Sequence, residues 1–383
     1  MYKLALLAIV TIAACDTGAT TNDECLGLEC RGGSIVVPPA RATRNDRTEA
    51  SVVATRDSCE PGLVKGLVCA PGKQVFVSDA SIVIEGTGCA GRKFRVETSS
   101  GADGEYVLRD VPPGEHTVTI TKGSFVRSTV VKVTSGQVAD ISGADAKMCF
   151  TPHQARIAVL EGEWDDLASF VGDLGFDYDL FTVTPDDASD GTIADLLADP
   201  TRLFSYDIVF VGCGYSVGQI AIEHPEQLVH IHDYVLQGGS LYLSDYAWTL
   251  GESAFPAAID FVQGDDPKLM GDCNKSPQQI PSDESVSATI TDPKLASWLG
   301  KGTLQVAFDD GPQIAAEAAG AGTVVHVAAD LRLMNGKTVK QAPLAMSYQP
   351  APGAGRVVYT NFHNDAQSTD DILKIMRFLV FTL

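Results

Sequence analysis

The chain has 383 residues, of which 28 are basic and 49 are acidic, so its formal net charge is −21. This acidity excludes a nucleic-acid-binding role, because phosphate neutralisation needs clustered Lys and Arg, and it disfavours peripheral binding to anionic lipid. Single hydrophobic cores stop growing near about 250–300 residues, so two domains are expected.

The N-terminal segment predicts export. Lys3 precedes an apolar run from Leu4 to Ala14, and small residues stand directly before Cys15. A basic start, a short apolar run and small residues before a cleavage site are typical of a secretory signal peptide. The run is too short for a membrane span, which needs about 20 apolar residues.

The Cys after these small residues resembles the bacterial lipobox. The resemblance implies that residues 1–14 are removed and that Cys15 carries acyl chains such as palmitate. We therefore expect an exported, lipid-anchored protein of the cell envelope whose membrane contact is covalent. Cleavage that leaves an unmodified Cys15 is the alternative, and the choice of membrane stays open.

The other cysteines agree with export. Eight remain after Cys15, an even number, which in an oxidising compartment predicts up to four disulfides. They are Cys25, Cys30, Cys59, Cys69, Cys89, Cys149, Cys213 and Cys273. A zinc site is not expected, because the chain has no Cys-x-x-Cys pair and its seven His are scattered. We expect no metal and no cofactor.

Residues 15–58 are predicted to be a lipidated flexible tether. The segment after Cys15 is rich in Thr, Arg, Gly and Asn, lacks aromatic residues and sustains no hydrophobic period. Such a composition does not bury enough apolar surface to fold. Within it, Cys25 and Cys30 are candidates for a small local loop.

Residues 59–150 are predicted to be an all-β sandwich. Short runs rich in Val, Ile and Thr alternate with turn signals, of which Asp103-Gly104 is the strongest hairpin signal. The predicted strands are Leu63–Val68, Ser81–Glu85, Lys93–Thr98, Glu105–Leu108, Gly114–Thr121, Phe125–Val133 and Val138–Ile141.

The stretch from Val96 to Thr119 contains Asp103-Gly-Glu-Tyr106 followed by Val111-Pro-Pro-Gly114. It resembles the carboxypeptidase regulatory-like domain, a transthyretin-like sandwich that serves as a non-catalytic structural module or spacer and in some members binds partners. The resemblance implies that these residues determine the fold; a turn role for Asp103 is favoured over calcium ligation.

Disulfide pairing in the sandwich is open at this stage, because four cysteines allow three pairings. If the first two strands form a hairpin, the start of one lies near the end of the other. That arrangement would bring Cys59 near Cys89 and leave Cys69 for Cys149.

Residues 151–383 are predicted to be a doubly wound α/β domain. Strands that are apolar on consecutive residues indicate a parallel sheet buried on both faces, and helices alternate with them. The predicted strands are Arg156–Leu160, Tyr178–Val183, Tyr206–Gly212, Ser240–Leu243, Thr323–Ala329 and Gly355–Asn361, and the predicted helices are Trp164–Leu174, Pro225–Leu236 and Thr369–Leu379.

Three segments carry a second resemblance: Tyr206–Val211, Tyr234–Asp245 and Gly355–Asp365. They are similar to the flavodoxin-like, class I glutamine amidotransferase-like fold, especially its trehalose-utilisation-type branch, with an insertion near 251–300. The resemblance implies a degenerate member, because the nucleophile position falls at Ser244-Asp245-Tyr246, where no Cys is present and no Gly permits a strained elbow.

Cys213 lies between Gly212 and Gly214 and superficially resembles the amidotransferase nucleophile. Its strand precedes the one that carries the nucleophile in that family, so we expect no catalytic residue there. In an oxidising compartment we expect Cys213 to pair with Cys273.

His363-Asn-Asp365 stands where the family places its catalytic His. A candidate pocket at the carboxyl ends of the strands would be lined by Glu161, Trp164, Ser244, Asp245, Trp248, His363 and Asp365. We expect a non-catalytic binding or scaffolding role, with a protein, peptide or carbohydrate ligand. The alternative is an envelope hydrolase or carbohydrate-active enzyme that uses Ser244, His363 and Asp365.

Overall fold

The computed structural model describes residues 59–72, 75–143, 148–264, 266–269, 275–309, 311–363 and 369–383. The predictions for the signal peptide, Cys15, the tether with Cys25 and Cys30, Cys273 and Asp365 lie outside these residues. Within them, no helix has the length and apolar character needed to cross a membrane.

The N-terminal part of the described chain is a two-sheet β structure. Its strands are β1 (Gly62–Leu67), β2 (Ser81–Thr87), β3 (Lys93–Ser99), β4 (Glu105–Val111), β5 (Gly114–Lys122), β6 (Phe125–Val133) and β7 (Val138–Asp140). They form sheets of order β4-β1-β7 and β3-β2-β5-β6. All the strands predicted here are present, because their alternating apolar residues face the core between the sheets.

Turn chemistry and disulfides fix this β structure as expected. The Asp103 carboxylate accepts a hydrogen bond from the Glu105 N–H at 3.1 Å, as a turn residue does. Gly104 has φ +77°, and a Cβ there would lie 2.4 Å from the Val68 carbonyl oxygen. Disulfides join Cys59 to Cys89 and Cys69 to Cys149, which confirms the predicted pairing. The hairpin of the first two strands, from which the pairing was argued, is not formed, because β1 and β2 lie in different sheets.

The C-terminal part is a mixed sheet with helices. Its strands are β8 (Ile157–Leu160), β9 (Asp179–Thr182), β10 (Gly191–Thr192), β11 (Ile208–Val211), β12 (Ser240–Ser244), β13 (Ile259–Phe261), β14 (Gln279–Ile280), β15 (Glu284–Ile290), β16 (Thr303–Phe308), β17 (Gln313–Ile314), β18 (Ala316–Ala319), β19 (Val324–Arg332), β20 (Thr338–Tyr348) and β21 (Val357–Thr360). Its helices are α1 (Leu167–Asp173), α2 (Ile193–Ala198), α3 (Pro200–Leu203), α4 (Tyr215–Glu223), α5 (Leu228–Leu236), α6 (Trp248–Ala254), α7 (Pro293–Leu299) and α8 (Asp370–Val380).

Ten of the described strands form one sheet of order β10-β9-β8-β11-β12-β21-β20-β19-β15-β16. The six from β10 to β21 are parallel, and helices pack on both of their faces. The last four are antiparallel, so the predicted doubly wound parallel sheet is correct for only part of the domain. The antiparallel half was not predicted: β15 and β16 alternate between buried and exposed residues, the usual pattern of an antiparallel strand, whereas β19 and the second half of β20 contain consecutive buried residues.

The β sandwich and the mixed sheet share one hydrophobic core. The described residues belong to a single compact unit, and Phe125 of β6 packs on Phe150, Phe176 and Phe381. The Ser124 N–H also donates to the carbonyl of Leu383. The two parts are therefore joined by apolar packing and not only by the chain.

Candidate functional site

Three adjacent parallel strands bring Cys213, Asp245 and His363 to one edge of the mixed sheet. Cys213 follows β11, Asp245 follows β12 directly, and His363 follows β21. Because β11, β12 and β21 are neighbours, their carboxyl ends meet at the same point. The three residues are 0%, 0% and 2% exposed respectively, so the cluster is buried.

The Asp245 carboxylate is the centre of this cluster. Its Oδ2 atom lies 3.4 Å from Cys213 Sγ and 3.3 Å from His363 Nε2. Its Oδ1 atom accepts a hydrogen bond from the Ile314 N–H at 2.7 Å. One carboxylate thus ties the ends of three parallel strands to β17.

Asp245 occupies a strained elbow between a strand and a helix. Its φ is +39°, directly after β12 and before the helical turn that leads into α6. The expectation that no strained elbow forms without glycine is wrong, because Asp tolerates the left-handed region better than most residues. The Tyr359 hydroxyl donates to the Asp245 carbonyl at 3.3 Å and helps hold the turn.

The glycines around Cys213 serve backbone packing. A Cβ on Gly162 would lie 2.1 Å from the Cys213 carbonyl oxygen, so the loop after β8 touches the loop after β11. The Cys213 N–H donates to Asp165 Oδ2 at 2.8 Å, and its carbonyl accepts from the Trp164 N–H at 3.1 Å. Cys213 is therefore fixed through its main chain on both sides.

The electrostatics of the cluster hold the thiol in its protonated form. Burial raises the pKa of Cys213 well above its usual range, and the carboxylates of Asp245 and Asp165 raise it further. Burial also raises the pKa of Asp245, although the hydrogen bond with His363 opposes that rise. A nucleophilic cysteine needs a neighbouring cation to lower its pKa, and here the direct neighbour of the thiol is a carboxylate.

The predicted Cys213–Cys273 disulfide is not formed in the structure. Cys213 is a buried free thiol in hydrogen-bond contact with Asp245, and Cys273 lies outside the described residues. The even number of cysteines predicted a disulfide at Cys213. That number carries no information on which side chain lies beside Cys213, and the structure places the Asp245 carboxylate there.

The described residues of the predicted pocket have different surroundings. Asp245 and His363 touch, and the Trp164 ring packs on Tyr246 at 5.5 Å between centroids. The Ser244 hydroxyl is buried and has no hydrogen-bond partner among the described residues, so it does not bond His363. The first pair of the alternative Ser244, His363 and Asp365 site is therefore not assembled.

Two other predicted lining residues, Glu161 and Trp248, have contacts of their own. Glu161 is bonded through its N–H to the Phe181 carbonyl, and burial, with nearby Asp166 and Asp186, raises its pKa. Trp248 packs on Phe261. Its ring helps line a small cavity of about 10 Å³, which is room for about one water molecule.

Sequence reasoning considered Cys213 and His363 separately and missed that they share Asp245. The available signal was that each of the three residues follows a predicted strand. Strand order was the missing information, since only neighbouring strands bring their ends together.

Comparisons with known proteins give one family match and several weak structural similarities. No curated protein matches the chain. Among solved structures, the Bacillus anthracis TIE protein is 14% identical over 27% of this chain and 19% of its own, with a TM-score of 0.20. A cohesin–X-dockerin complex from Acetivibrio cellulolyticus is 17% identical over 23% of this chain and 64% of that chain, with a TM-score of 0.15.

A glutamine amidotransferase from Thermotoga maritima is 10% identical over 59% of this chain and 93% of its own, with a TM-score of 0.34. This chain thus spans less than two thirds of the first two matched structures. Residues 64–144 match the family model of the carboxypeptidase regulatory-like domain. The chain therefore contains a carboxypeptidase regulatory-like domain at residues 64–144.

Proposed function

We propose that this protein is a cell-envelope lipoprotein with a non-catalytic binding or scaffolding role. Cys15 would carry the lipid, and the carboxypeptidase regulatory-like domain would act as a spacer. The mixed-sheet part would be a degenerate amidotransferase-like domain. The two disulfides indicate an extracellular or envelope location, because such bonds persist in oxidising compartments.

The observation that carries the non-catalytic role is the state of the Asp245 cluster. Its carboxylate oxygens are engaged by Ile314, Cys213 and His363, and all three side chains that meet there are buried. A catalytic group must reach a substrate, and its pKa must suit proton transfer near the working pH. A protonated thiol beside a carboxylate, without exposed surface, meets neither requirement.

The ligand of such a scaffold would be a protein, peptide or carbohydrate. The strongly acidic chain favours partners that carry basic or neutral surfaces over anionic ones. The sandwich packs directly on the mixed sheet through Phe125 and Phe381, so a spacer role would present both parts as one rigid body.

The catalytic question is tested by turnover assays with glutamine, ester and glycoside substrates. Wild type, His363→Ala and Ser244→Ala are compared at equal concentrations of folded protein. We expect the same background rate in all three. Turnover by wild type that is lost in both variants would contradict the proposal and favour the hydrolase alternative.

The anchoring part is tested separately by labelling cells with a palmitate analogue. We expect wild type to incorporate the label and to remain in the membrane fraction, and Cys15→Ala to lose both properties. Equal membrane retention of Cys15→Ala would contradict the lipid anchor and leave the catalytic question untouched.

A further inference from the structure

We propose that Cys213, Asp245 and His363 form a binding site for one divalent transition-metal ion, with zinc as the best fit. Their ligand atoms all lie within 4.8 Å of one another, although the three residues are far apart in sequence. The site lies at the meeting point of β11, β12 and β21. It goes beyond the proposed scaffolding role and adds a metal to it.

Two of the three ligand-to-ligand distances agree with tetrahedral coordination, and the third, between Cys213 and His363, is within 4.8 Å. Zinc bonds of about 2.3 Å to sulfur and about 2.0–2.1 Å to nitrogen and oxygen give ligand-to-ligand distances of about 3.5 Å and about 3.3 Å. The Cys213 Sγ to Asp245 Oδ2 distance is 3.4 Å, and the His363 Nε2 to Asp245 Oδ2 distance is 3.3 Å. Both distances therefore match edges of a zinc tetrahedron.

The Cys213–Asp245 distance is also that of an ordinary hydrogen bond from a thiol, but the His363–Asp245 distance is long for a hydrogen bond. Hydrogen bonds from an imidazolium to a carboxylate are usually about 2.7–2.9 Å long. The other buried His–Asp pair follows this rule, because His326 Nδ1 lies 2.7 Å from Asp292 Oδ2. The His363–Asp245 contact is 0.6 Å longer (3.3 against 2.7 Å), which leaves room for an ion between the atoms.

The charges of the three ligands neutralise a divalent cation. On binding, the Cys213 thiol loses its proton to solvent and its sulfur donates an electron pair to the metal. The thiolate and the Asp245 carboxylate supply two negative charges, and His363 binds as a neutral imidazole through Nε2. The net charge of the complex is zero, as a buried site requires.

Hydrogen bonds around the cluster already orient the ligands. The Ile314 N–H binds Asp245 Oδ1 and leaves Oδ2 directed at the other two ligands. The Tyr246 N–H donates to Cys213 Sγ. Outer contacts of this kind orient ligands in protein metal sites. Three protein ligands leave a fourth position for water, the ligand number of an open zinc site.

The test measures metal binding by the folded, full chain. Chelator-treated protein is titrated with Co²⁺, whose thiolate complexes absorb in the near ultraviolet, and zinc is measured in the isolated protein. We expect one equivalent per chain and a thiolate-to-cobalt band that zinc displaces. X-ray absorption of the bound metal should show one sulfur among nitrogen and oxygen ligands.

Variants assign the site. We expect Cys213→Ser to lose the cobalt band and His363→Ala to weaken binding at least about tenfold. His326→Gln, a change at the comparison pair, is the matched control and should bind as wild type does. Absence of a thiolate band in wild type at excess Co²⁺, or a band that persists in Cys213→Ser, would overturn the proposal. Either result is independent of the turnover assays.

Discussion

The Asp245→Ala substitution is expected to lower the free energy of unfolding of the chain substantially. It leaves the Ile314 N–H and the donor groups of His363 and Cys213 buried without their acceptor. An unsatisfied buried donor costs about 1–3 kcal/mol, and Ala in a left-handed conformation adds about 1–2 kcal/mol. With the Ile314 N–H and His363 counted as two such donors and the thiol as a weak one, the sum is about 3–8 kcal/mol.

This loss is large compared with the whole free energy of unfolding, which is about 5–15 kcal/mol for typical proteins. Asp245→Asn is the matched control, because it keeps an oxygen for Ile314 and tolerates the +39° φ angle. We expect it to cost about 1–2 kcal/mol, the worth of weakening one charged hydrogen bond.

The assay is urea unfolding followed by tryptophan fluorescence and circular dichroism, performed after removal of metal. The expected order of stability is wild type, then Asp245→Asn, then Asp245→Ala. If Asp245→Ala fails to fold, the Asn variant still provides a measurable step. An Ala variant within about 1 kcal/mol of wild type would refute the view that this carboxylate holds the strand ends together.

Three further outcomes are expected. Replacing both cysteines of the Cys69–Cys149 disulfide, whose sequence separation is 80, should lower the free energy of unfolding by about 4–5 kcal/mol, because the unfolded chain gains entropy. Denaturation under non-reducing conditions measures this loss, and a loss below about 1 kcal/mol would contradict the chain-entropy argument. Phe381→Ala should cost about 3–5 kcal/mol and lower one shared thermal transition; separate transitions for the sandwich and the mixed sheet would argue against a common core. Burial raises the pKa of Asp292, but hydrogen bonds from His326 and from backbone N–H groups outweigh this effect, so the pKa is lowered. The ionised Asp292 therefore stabilises the fold, and this contribution is lost as pH falls below about 4. Asp292→Asn should therefore show a shallower fall of stability in acid, and an unchanged slope would contradict this assignment.

Local patterns in the sequence were sufficient for the β sandwich. Asp103-Gly104 predicted a tight turn, and Gly104 has a positive φ. The alternating apolar residues of β4 and β5 face the core as expected. Here the periodicity of two residues and the turn chemistry agree, so each strand could be identified without knowledge of its partners.

The pairing of strands in the mixed sheet was harder to predict, because β8, β11, β12 and β21 are buried on both faces and their apolar runs do not show which strands are neighbours. β19 and β20 are joined by Asn335-Gly336, a strong hairpin signal that indicates antiparallel pairing. That signal was available and was not used. Predicted strands such as Tyr206–Gly212 were correct in position, but their neighbours in the sheet could not be inferred from apolar runs.

The candidate site could not be predicted from local sequence patterns, because its three residues meet only through the order of the strands in the sheet. Asp245 and His363 were both predicted to lie at strand ends, and the structure brings them into contact. The partner of Cys213 was predicted wrongly, because pairing by cysteine count ignores which strand ends are adjacent. The sequence did not show that β11, β12 and β21 are neighbours in the sheet, and this order is what brings the three residues together.

The most direct test of the non-catalytic account is the reactivity of Cys213 in the native protein. Metal-free folded protein and urea-unfolded protein are treated with iodoacetamide, and the Cys213 peptide is quantified by mass spectrometry. We predict an unmodified Cys213 peptide in the folded protein and complete modification after unfolding, because the thiol is buried and protonated. Rapid, stoichiometric modification of Cys213 in the folded protein would contradict the account and point to a reactive, accessible thiol.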